Sequence, residues 1–447
     1  MDLNKILLIY RETRYNYDNG DDSLIAGKKL DIGKDLSKYN KINKFLEPKY
    51  VYIPLVSGSD KNITIVAKKG DYVYKGSIVG KSKGNFRIPI HSSVSGIVAG
   101  YEEKSYLDGT KVKCIKIEND FKEQSISSKE TTRKISKYSK EEFIKILQDC
   151  GVIGMGGAGF PTYIKYNTDK KIDTLIVNAV ECEPYITADY VLTENKMEEL
   201  LEAIDAVIEI NGIKEGIIAI KKSNNSLIKK FSNYLGTYPK IKVVGVNNIY
   251  PAGWERSLIT KVKGVDYHSL PLEKGIVVNN ISTMYAIYEA LKYNRPLVER
   301  IVTFTGENLK NPQNVLVKIG TPAKDVISYL GGTNNDNYLL IAGGPMMGND
   351  IDDKNLVITP NLNCVLLKEP LDEEIVNCMR CGKCTEVCPA HLSPVLIKDN
   401  LNNLNKICKL KAKRCIGCGL CSYVCPSKIK LRELVSEAKK RINSEVK

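Results

Sequence analysis

Two cysteine-rich runs near the C-terminal end of the chain decide how that part of it folds. The first is Cys378-Met-Arg-Cys381-Gly-Lys-Cys384-Thr-Glu-Val-Cys388-Pro389. The second is Cys415-Ile-Gly-Cys418-Gly-Leu-Cys421-Ser-Tyr-Val-Cys425-Pro426, and both follow the pattern C-x2-C-x2-C-x3-C-P. Nine of the 13 cysteines lie between Cys378 and Cys425. In a chain without an export signal, such crowding indicates metal ligation rather than disulfides.

The spacing inside each run is typical of iron–sulfur ligation. A tight loop with two-residue spacers turns three thiolates toward one small cluster, and leaves backbone N–H groups to bond the sulfides. In proteins with two such runs, the last cysteine of each run ligates the other cluster. The runs therefore predict two [4Fe–4S] clusters, one held by Cys378, Cys381, Cys384 and Cys425, and the other by Cys415, Cys418, Cys421 and Cys388.

Structural zinc is the alternative interpretation of these cysteines. Zinc sites usually present paired C-x2-C knuckles with four ligands, not two repeats that each end in Cys-Pro. Cys408 falls between the runs without a partner, and we expect it to be a buried small hydrophobic residue. Cys114, Cys150, Cys182 and Cys364 are scattered singly.

Length and composition indicate a multidomain globular protein. The 447 residues are enough for two to four domains, and 43% hydrophobic with 26% charged residues is close to the average for soluble proteins. Apolar stretches such as residues 338–347 are shorter than the roughly 18 residues that a membrane-spanning helix needs. The short apolar run at residues 6–10 also lacks the length of a signal peptide core. We therefore expect a cytoplasmic protein.

The formal net charge of +14 has three possible meanings. Lysine is spread through every segment rather than gathered into one basic arm, and aromatic residues are not interleaved with it as base stacking would require. A solvated lysine-rich surface is the first interpretation, and attraction to anionic lipid or an acidic redox partner is the second. Nucleic acid is not expected as a partner.

A glycine-rich loop follows a predicted helix in the middle of the chain. Ser139-Lys-Glu-Glu142 forms a capping box, and the helix that it opens is predicted to end at Cys150-Gly151. The loop itself is Gly154-Met-Gly156-Gly157-Ala-Gly159-Phe160-Pro161. Its glycines let a backbone approach a flat ring or a phosphate, and Phe160 can stack on an aromatic ligand. A packed turn between two elements is the alternative, because a dinucleotide fold would place a strand before such a loop.

Strands and helices alternate after this loop. Leu175-Ile-Val177 is predicted to be a buried parallel strand that delivers Asn178-Ala-Val-Glu181-Cys182-Glu183 at its C-terminal end, where open α/β sheets bind ligands. Thr193 is predicted to cap a helix that Gly212 closes. The sequence therefore predicts an α/β domain, with further strands at 216–220, 240–246 and 277–280 and a helix over 282–292.

Four segments carry a family resemblance, namely GMGGAGFPT, NAVECEPY, YPAGWER and VVNN-IST. They resemble the nucleotide- and flavin-binding subunit of respiratory complex I. They are more similar to the RnfC family, which comprises the RnfC subunit of Rnf ferredoxin:NAD oxidoreductases and its soluble relative PrdC, linked to proline reductase. The likeness covers about residues 49 to 430.

The order of parts also resembles that of RnfC. Residues 49–120 contain KKGDYVYKGSIVG and PIHSSVSGIV, similar to a barrel-sandwich module, although no modifiable lysine stands at the hairpin; we expect His91 there to be structural. Residues 300–366 resemble a soluble-ligand-binding β-grasp (SLBB) module whose helix starts at Thr321-Pro322. The resemblance implies a multidomain α/β fold: an extension (1–48), a barrel-sandwich hybrid (49–125), an NADH/FMN-binding α/β domain (135–299), a β-grasp domain (300–367) and an α-helical ferredoxin-type domain (368–447).

Site residues are implied by the same resemblance. They would contact FMN and NAD(H), and they comprise Gly154, Gly156, Gly157, Gly159, Phe160, Lys165, Asn178, Glu181, Glu183, Glu255, Asn279, Asn280 and Thr283. The chain departs from the complex I pattern at three positions. Met155 replaces an arginine, Val180 an aspartate and Trp254 a glutamate.

The resemblance implies electron transfer among NAD(H), FMN and the two clusters, with the cofactors supplying the chemistry. The partners would be other Rnf subunits on the cytoplasmic face of the membrane, with a ferredoxin-like redox partner, so that the protein could be peripheral. Two alternatives stay open. One is a soluble NADH-dependent donor to proline reductase. The other is a non-catalytic iron–sulfur conduit, in which the three departures have abolished nucleotide binding.

Overall fold

The computed structural model describes residues 27–30, 32–58, 60–84, 88–126, 130–267, 269–370 and 374–445. Contacts between residues divide the chain into two compact units. Of the described residues, the main unit comprises those within 32–248 and 252–369, and the C-terminal unit comprises 27–30, 249–251, 370 and 374–445. Among the described residues, no helix has both the length and the apolar character needed to cross a bilayer.

The first part of the main unit is built from short antiparallel strands. Alternating valine and isoleucine residues such as Val51, Ile53, Ile115 and Ile117 are almost fully buried, as expected where each strand turns one face inward. Two sheets form, with strand orders β2-β8-β7-β4 and β3-β5-β6. The elements are α1 (Asp35–Lys38), β1 (Asn43–Phe45), β2 (Tyr50–Pro54), β3 (Ile63–Ile65), β4 (Tyr72–Val73), β5 (Ile78–Ser82), β6 (Pro89–His91), β7 (Gly96–Ser105) and β8 (Lys111–Asn119).

A parallel sheet with flanking helices forms the centre of the main unit, as the sequence predicts. Its order is β11-β10-β9-β12. β9 is an inner strand that pairs with β10 and β12, and its Leu175, Ile176 and Val177 are fully buried, as expected for a parallel sheet covered on both faces. The elements are α2 (Lys140–Asp149), β9 (Thr174–Ala179), α3 (Ala188–Asn195), α4 (Met197–Ile210), β10 (Glu215–Lys221), α5 (Asn225–Ser232), β11 (Ile241–Val246), α6 (Glu255–Lys263), β12 (Ile276–Asn280) and α7 (Ile281–Tyr293), with 3₁₀ turns at Ile135–Lys137, Thr162–Lys165 and Pro271–Lys274.

Helix boundaries in this region test two predictions. The Ser139/Glu142 capping box is present, with both of its hydrogen bonds formed at the start of α2. The prediction that Thr193 caps a helix is wrong. Thr193 lies inside α3 and donates its hydroxyl to the Asp189 carbonyl at 2.6 Å, because a separate short helix precedes α4.

The last part of the main unit is a mixed six-stranded sheet of order β1-β14-β13-β17-β15-β16. β1, which comes from the N-terminal region, pairs in parallel with β14, so residues 43–45 are built into this sheet. Helix α8 begins directly after Pro322, which is its N-cap residue. The elements are β13 (Glu299–Thr305), β14 (Gln313–Lys318), α8 (Ala323–Tyr329), β15 (Leu339–Ala342), β16 (Asn349–Asp350) and β17 (Cys364–Lys368).

The C-terminal unit is helical in its described residues after Pro370. Its longest helix buries Leu431, Val435, Ala438 and Ile442, which recur at helical spacing on one face. That face packs with Ile397, Ile407 and Ala412. The elements are α9 (Lys383–Glu386), α10 (Pro394–Asp399), α11 (Leu404–Lys409), a 3₁₀ turn (Ala412–Arg414), α12 (Leu420–Tyr423) and α13 (Leu431–Glu445).

Candidate functional site

The two cysteine runs adopt the same local backbone. In each run a glycine after the second cysteine, Gly382 or Gly419, has φ 80° and ψ −11° and immediately precedes a four-residue helix. This left-handed conformation favours glycine, and it turns the chain tightly enough to bring spaced cysteines together. The third cysteine of each run, Cys384 or Cys421, lies inside the short helix that follows.

These turns gather the eight cysteines into two groups. The first cavity, with about 360 Å³ of space that is partly open to solvent, is lined by Cys378, Cys381, Cys384 and Cys425. The second cavity, with about 380 Å³, is lined by Cys388, Cys415, Cys418 and Cys421. Each cavity therefore takes three cysteines from one run and the last cysteine of the other run.

The donor set of each cavity fits an iron–sulfur cluster. Among the described residues, no three histidine, cysteine or acidic side chains lie close enough together to hold a single ion. Four soft sulfur donors spread around a larger space suit a cluster better than they suit zinc. Burial raises the pKa of Cys384 to about 11 and that of Cys388 to about 12, and a metal bound to these two sulfurs would have to displace their protons.

Backbone N–H groups already point at two sulfurs of the second cavity. The Leu392 N–H donates to Cys388 Sγ and the Gly417 N–H donates to Cys415 Sγ, each at 3.4 Å. Such bonds stabilise negative charge on a ligating sulfur and its cluster.

The glycine-rich loop of the main unit has an exposed crest, residues 156–158, and a base at which its two ends are hydrogen-bonded. The Gly154 N–H donates to the Phe160 carbonyl at 2.7 Å, which closes the loop. Gly156 and Gly157 are exposed, and Phe160 is 39% exposed. Gly157 has φ +118°, and a Cβ atom built there meets no atom within 4 Å. The crest thus offers bare backbone and open space, as a flat ligand would require.

Two buried side chains hold the base of this loop. Thr283 Oγ1 accepts a hydrogen bond from the Met155 N–H at 2.9 Å, and Asn361 Nδ2 donates to the Gly157 carbonyl at 2.9 Å. Thr283 was among the predicted site residues, and here it supports the loop backbone. Asn361 was not predicted, because it lies just before β17 in the β-grasp region and no motif links it to the loop.

Comparisons with known proteins place this geometry in a family. Four family models match the chain, namely an RnfC barrel-sandwich hybrid domain (residues 23–122), a Nuo51 FMN-binding domain (147–289), an SLBB domain (301–350) and a 4Fe-4S dicluster domain (377–429). The chain is 33% identical over 360 residues to the C subunit of the Na⁺-translocating ferredoxin:NAD⁺ oxidoreductase complex of Acetobacterium woodii, covering 79% of this chain and 81% of that protein. The chain belongs to the RnfC family.

Further relatives support the same assignment. The C subunit of the proton-translocating ferredoxin:NAD⁺ oxidoreductase complex of Clostridium ljungdahlii is 33% identical, with 82% of each chain covered. The C subunit of the ion-translocating oxidoreductase complex of Rhodobacter capsulatus is 31% identical, with 83% of this chain and 73% of that protein covered. This RnfC chain is accordingly an oxidoreductase subunit of the electron-transfer class, with an FMN-binding domain and a 4Fe-4S dicluster domain.

The fold also has a counterpart among solved structures. A crystal structure of an NAD⁺-reducing [NiFe]-hydrogenase in the H₂-reduced state matches with a TM-score of 0.50 and 16% identity, covering 69% of this chain and 61% of that chain. At this identity the match indicates a shared fold. The predicted fold class, with barrel-sandwich, flavin-subunit-like, β-grasp and ferredoxin-type parts, is confirmed by the family models.

Lys165 and Asn279, both predicted to contact flavin, lie side by side in the main unit. Lys165 Nζ donates to the Val278 carbonyl at 2.6 Å and lies 3.5 Å from Asn279 Oδ1. Burial lowers the pKa of Lys165, and the nearby Glu255 carboxylate opposes that shift. Asn279 Nδ2 donates to the Tyr166 hydroxyl at 2.6 Å. Both side chains therefore have protein partners already.

Glu181 and Asn280 meet at a buried acidic pair. Glu181 Oε1 accepts from the Asp189 N–H at 2.7 Å at the start of α3, and Asn280 Nδ2 donates to the Asp189 carboxylate at 2.6 Å. Burial raises the pKa of Glu181, and the Lys34 ammonium 3.9 Å from its Oε2 opposes the shift. Glu181 also has φ +43°, an uncommon conformation for a residue with a side chain.

The remaining predicted contacts hold loops in place. Glu183 Oε1 accepts from the Met346 and Met347 N–H groups at 2.7 and 2.9 Å. Asn178 Nδ2 donates to the Gly253 carbonyl at 2.8 Å. Glu255 Oε1 lies 3.3 Å from the Tyr267 hydroxyl. Thus each of these acidic and amide side chains is hydrogen-bonded to another part of the main unit.

The other singled-out residues have mixed outcomes. The expectation that Cys408 is buried is wrong: it is exposed, because it faces outward on α11. His91 is buried as a structural residue, 7% exposed, and burial lowers its pKa to about 4. Cys114, Cys150 and Cys364 are buried, which agrees with a packing role.

Proposed function

We propose that this RnfC chain passes electrons between NAD(H) and two [4Fe–4S] clusters by way of FMN, as a subunit of an ion-translocating ferredoxin:NAD oxidoreductase. The observation that carries the proposal is the arrangement of eight cysteines around two cavities in a chain that also has an exposed glycine loop. The names of the relatives, which are ferredoxin:NAD⁺ oxidoreductase subunits, support the same reaction class.

Under this proposal the two cavities hold the clusters. Cys378, Cys381, Cys384 and Cys425 ligate the first cluster, and Cys388, Cys415, Cys418 and Cys421 ligate the second. When bound, FMN would take an electron pair from a nicotinamide and the clusters would take single electrons, a conversion that the protein itself cannot supply. The chain's contribution is to hold these groups in fixed, partly buried places.

Residues of the main unit position the flavin and the nucleotide. The exposed backbone of Gly156 and Gly157 gives a flat ring access, and Phe160 offers an aromatic face at 39% exposure. Thr283 fixes the loop through the Met155 N–H. The Lys165 ammonium, which donates to the Val278 carbonyl in this structure, would turn to an anionic group of the ligand. The other predicted contacts, Gly154, Gly159, Asn178, Glu181, Glu183, Glu255, Asn279 and Asn280, support the walls of this site.

Absorbance spectroscopy of the full chain tests the proposal. Anaerobically reconstituted protein should contain about eight irons per chain and one FMN, and NADH should bleach both the flavin and the iron–sulfur absorbance. Protein that holds both clusters but neither retains FMN nor reacts with NADH would overturn the proposal in favour of a non-catalytic conduit. Far fewer irons, or tetrahedral zinc instead, would overturn the cluster assignment.

A matched variant separates the flavin step from the cluster step. Changing Cys378 and Cys388 to serine removes one ligand from each cavity, while the glycine loop in the main unit keeps its sequence. NADH should then still bleach the flavin without any iron–sulfur change. Loss of the flavin reaction in this variant would contradict independent binding of FMN by the main unit.

Partner identity forms a finer part of the proposal. We propose other Rnf subunits at the cytoplasmic face of the membrane, with a ferredoxin-like protein as redox partner. Fractionation of native cells tests this. Sedimentation with membranes, reversed only by detergent or high salt, is expected. Recovery in a soluble complex with a proline reductase would support the PrdC-like alternative instead.

The proposal includes a division of the chain into domains. We place the barrel-sandwich hybrid at 49–125, the NADH/FMN-binding domain at 135–299, the β-grasp domain at 300–367 and the ferredoxin-type domain at 368–447. Limited proteolysis of the reconstituted chain should cut first near residues 126–134 and 368–374, between the proposed domains. Early cleavage inside the parallel sheet would contradict these boundaries.

A further inference from the structure

The two cysteine cavities of the C-terminal unit differ in the side chains that reach their ligands. At the second cavity, Tyr250 donates its hydroxyl to the Cys418 carbonyl at 2.6 Å, and the Lys439 ammonium donates to the Cys415 carbonyl at 2.9 Å. Among the described residues, no side chain donates to the carbonyl of Cys378, Cys381, Cys384 or Cys425. Side-chain donation to ligand carbonyls is thus confined to one of the two cavities.

Charge follows the same asymmetry. Lys439 forms no ion pair with any carboxylate of the described residues, so its positive charge is not neutralised locally. At the first cavity, Arg380 pairs with the Asp399 carboxylate at 2.5 Å, and Lys398 pairs with the same carboxylate at 2.6 Å. Among the described residues, a cation therefore donates to a ligand carbonyl only at the second cavity, where Lys439 contacts Cys415.

Two backbone hydrogen bonds to Lys28 hold Tyr250 in place. Its N–H donates to the Lys28 carbonyl at 2.8 Å, and its carbonyl accepts from the Lys28 N–H at 3.1 Å. The tyrosine is 2% exposed, and Lys28 Nζ lies 5.1 Å from the centre of the Tyr423 ring, in the second cysteine run. These contacts keep the hydroxyl on the Cys418 carbonyl, because a buried donor cannot exchange that partner for water.

We propose that Tyr250 and Lys439 are positioning residues that make the cluster of Cys388, Cys415, Cys418 and Cys421 the higher-potential member of the pair. The proposal rests on the two-cluster assignment made above. Reduction adds one negative charge to a cluster, and a nearby cation or hydrogen-bond donor stabilises the reduced form, which raises the reduction potential. The two sites are therefore unequal electron acceptors.

A potentiometric titration of the full chain, followed by EPR, tests the proposal. Wild-type protein should show two separate one-electron waves. Tyr250→Phe and Lys439→Met should each lower the higher wave, changing the ratio of oxidised to reduced cluster at fixed potential by about threefold to tenfold. The lower wave should stay in place. Lys440→Met is the matched control, because Lys440 is the exposed neighbour of Lys439 with the same charge, and it should move neither wave.

The double variant Cys388→Ser/Cys415→Ser shows which wave belongs to which cluster. It removes two ligands of the second cavity and none of the first, so the higher wave should vanish. Unchanged waves in Tyr250→Phe and Lys439→Met, at wild-type iron content, would overturn this inference alone. A shift confined to the lower wave would also overturn it. Wild-type protein that lacks about eight irons would instead overturn the proposed function.

Discussion

The cysteine runs and the glycine-loop region of the same chain differ in what their predicted site residues contact. In the C-terminal unit, all eight cysteines predicted as ligands line the cavities to which the spacing assigned them. In the main unit, predicted nucleotide contacts such as Glu183, Asn279 and Asn280 are hydrogen-bonded to other parts of the protein. A thiol in a metal loop has few other uses, whereas a buried amide or carboxylate must find a partner in any fold.

The residues that match one family pattern are therefore of two kinds. Some residues offer groups to a ligand, and others build the walls that hold the first kind. At the glycine loop the two are adjacent, since the exposed Gly157 is held by the buried Asn361. Four experiments test this distinction and the stability of the main unit.

The largest effect is expected at the cysteines, where paired substitutions decide the grouping. Cys388→Ser/Cys415→Ser affects only the second cavity, so about four irons should remain. Cys378→Ser/Cys388→Ser affects both cavities, so iron content should approach zero. If each run instead held its own cluster, the two variants would exchange these results. Iron analysis and EPR of anaerobically prepared protein give the measurement.

Flavin binding should respond next, at the crest of the loop. Gly157→Ala adds a side chain at φ +118° where the backbone is exposed, and we expect FMN affinity to fall about tenfold or more with unchanged iron content. Gly212→Ala is the matched control, because Gly212 also has a positive φ of +60° and open space but follows the C-terminus of α4. Flavin fluorescence titration measures the difference. Equal losses in both variants would show a general folding effect.

Substitutions of Glu183 test whether this side chain supports the protein backbone or contacts a ligand. Glu183→Ala removes the acceptor of two backbone N–H groups at 2.7 and 2.9 Å, and should lower the free energy of unfolding by about 2–4 kcal/mol. Glu183→Gln keeps one carbonyl oxygen and should recover most of that loss. Chemical denaturation of each variant gives the measurement. Weaker NADH binding with wild-type stability in Glu183→Ala would show instead that Glu183 serves the nucleotide.

The smallest effect is a pH dependence at His91. Burial lowers the folded-state pKa of His91 to about 4, below the ordinary value of 6.5, so the unfolded chain binds the proton more readily. The free energy of unfolding should therefore rise between pH 5 and pH 7, by up to about 2 kcal/mol from this residue. In His91→Gln that part of the slope should disappear. An unchanged slope would indicate that other groups control stability in this range.

Local pattern accounts for most of what could be predicted about the fold. The capping box at Ser139 and the buried strand around Val177 depend on a few neighbouring residues, and both are present. Thr193 and Cys408 were predicted wrongly because the sequence pattern did not reveal the short helices, α3 and α11, in which they lie. A threonine can bond back to its own helix, and a cysteine on a short helix can face outward.

What the sequence determined by itself is the chemistry of the cysteine runs and the alternation of strands and helices, since both repeat over a few residues. Only the tertiary structure decided which side chains support the sites. Tyr250 reaches a carbonyl 168 residues away and Asn361 reaches one 204 residues away. Such contacts leave no local spacing to detect, because hydrogen bonds form between groups that the fold brings together.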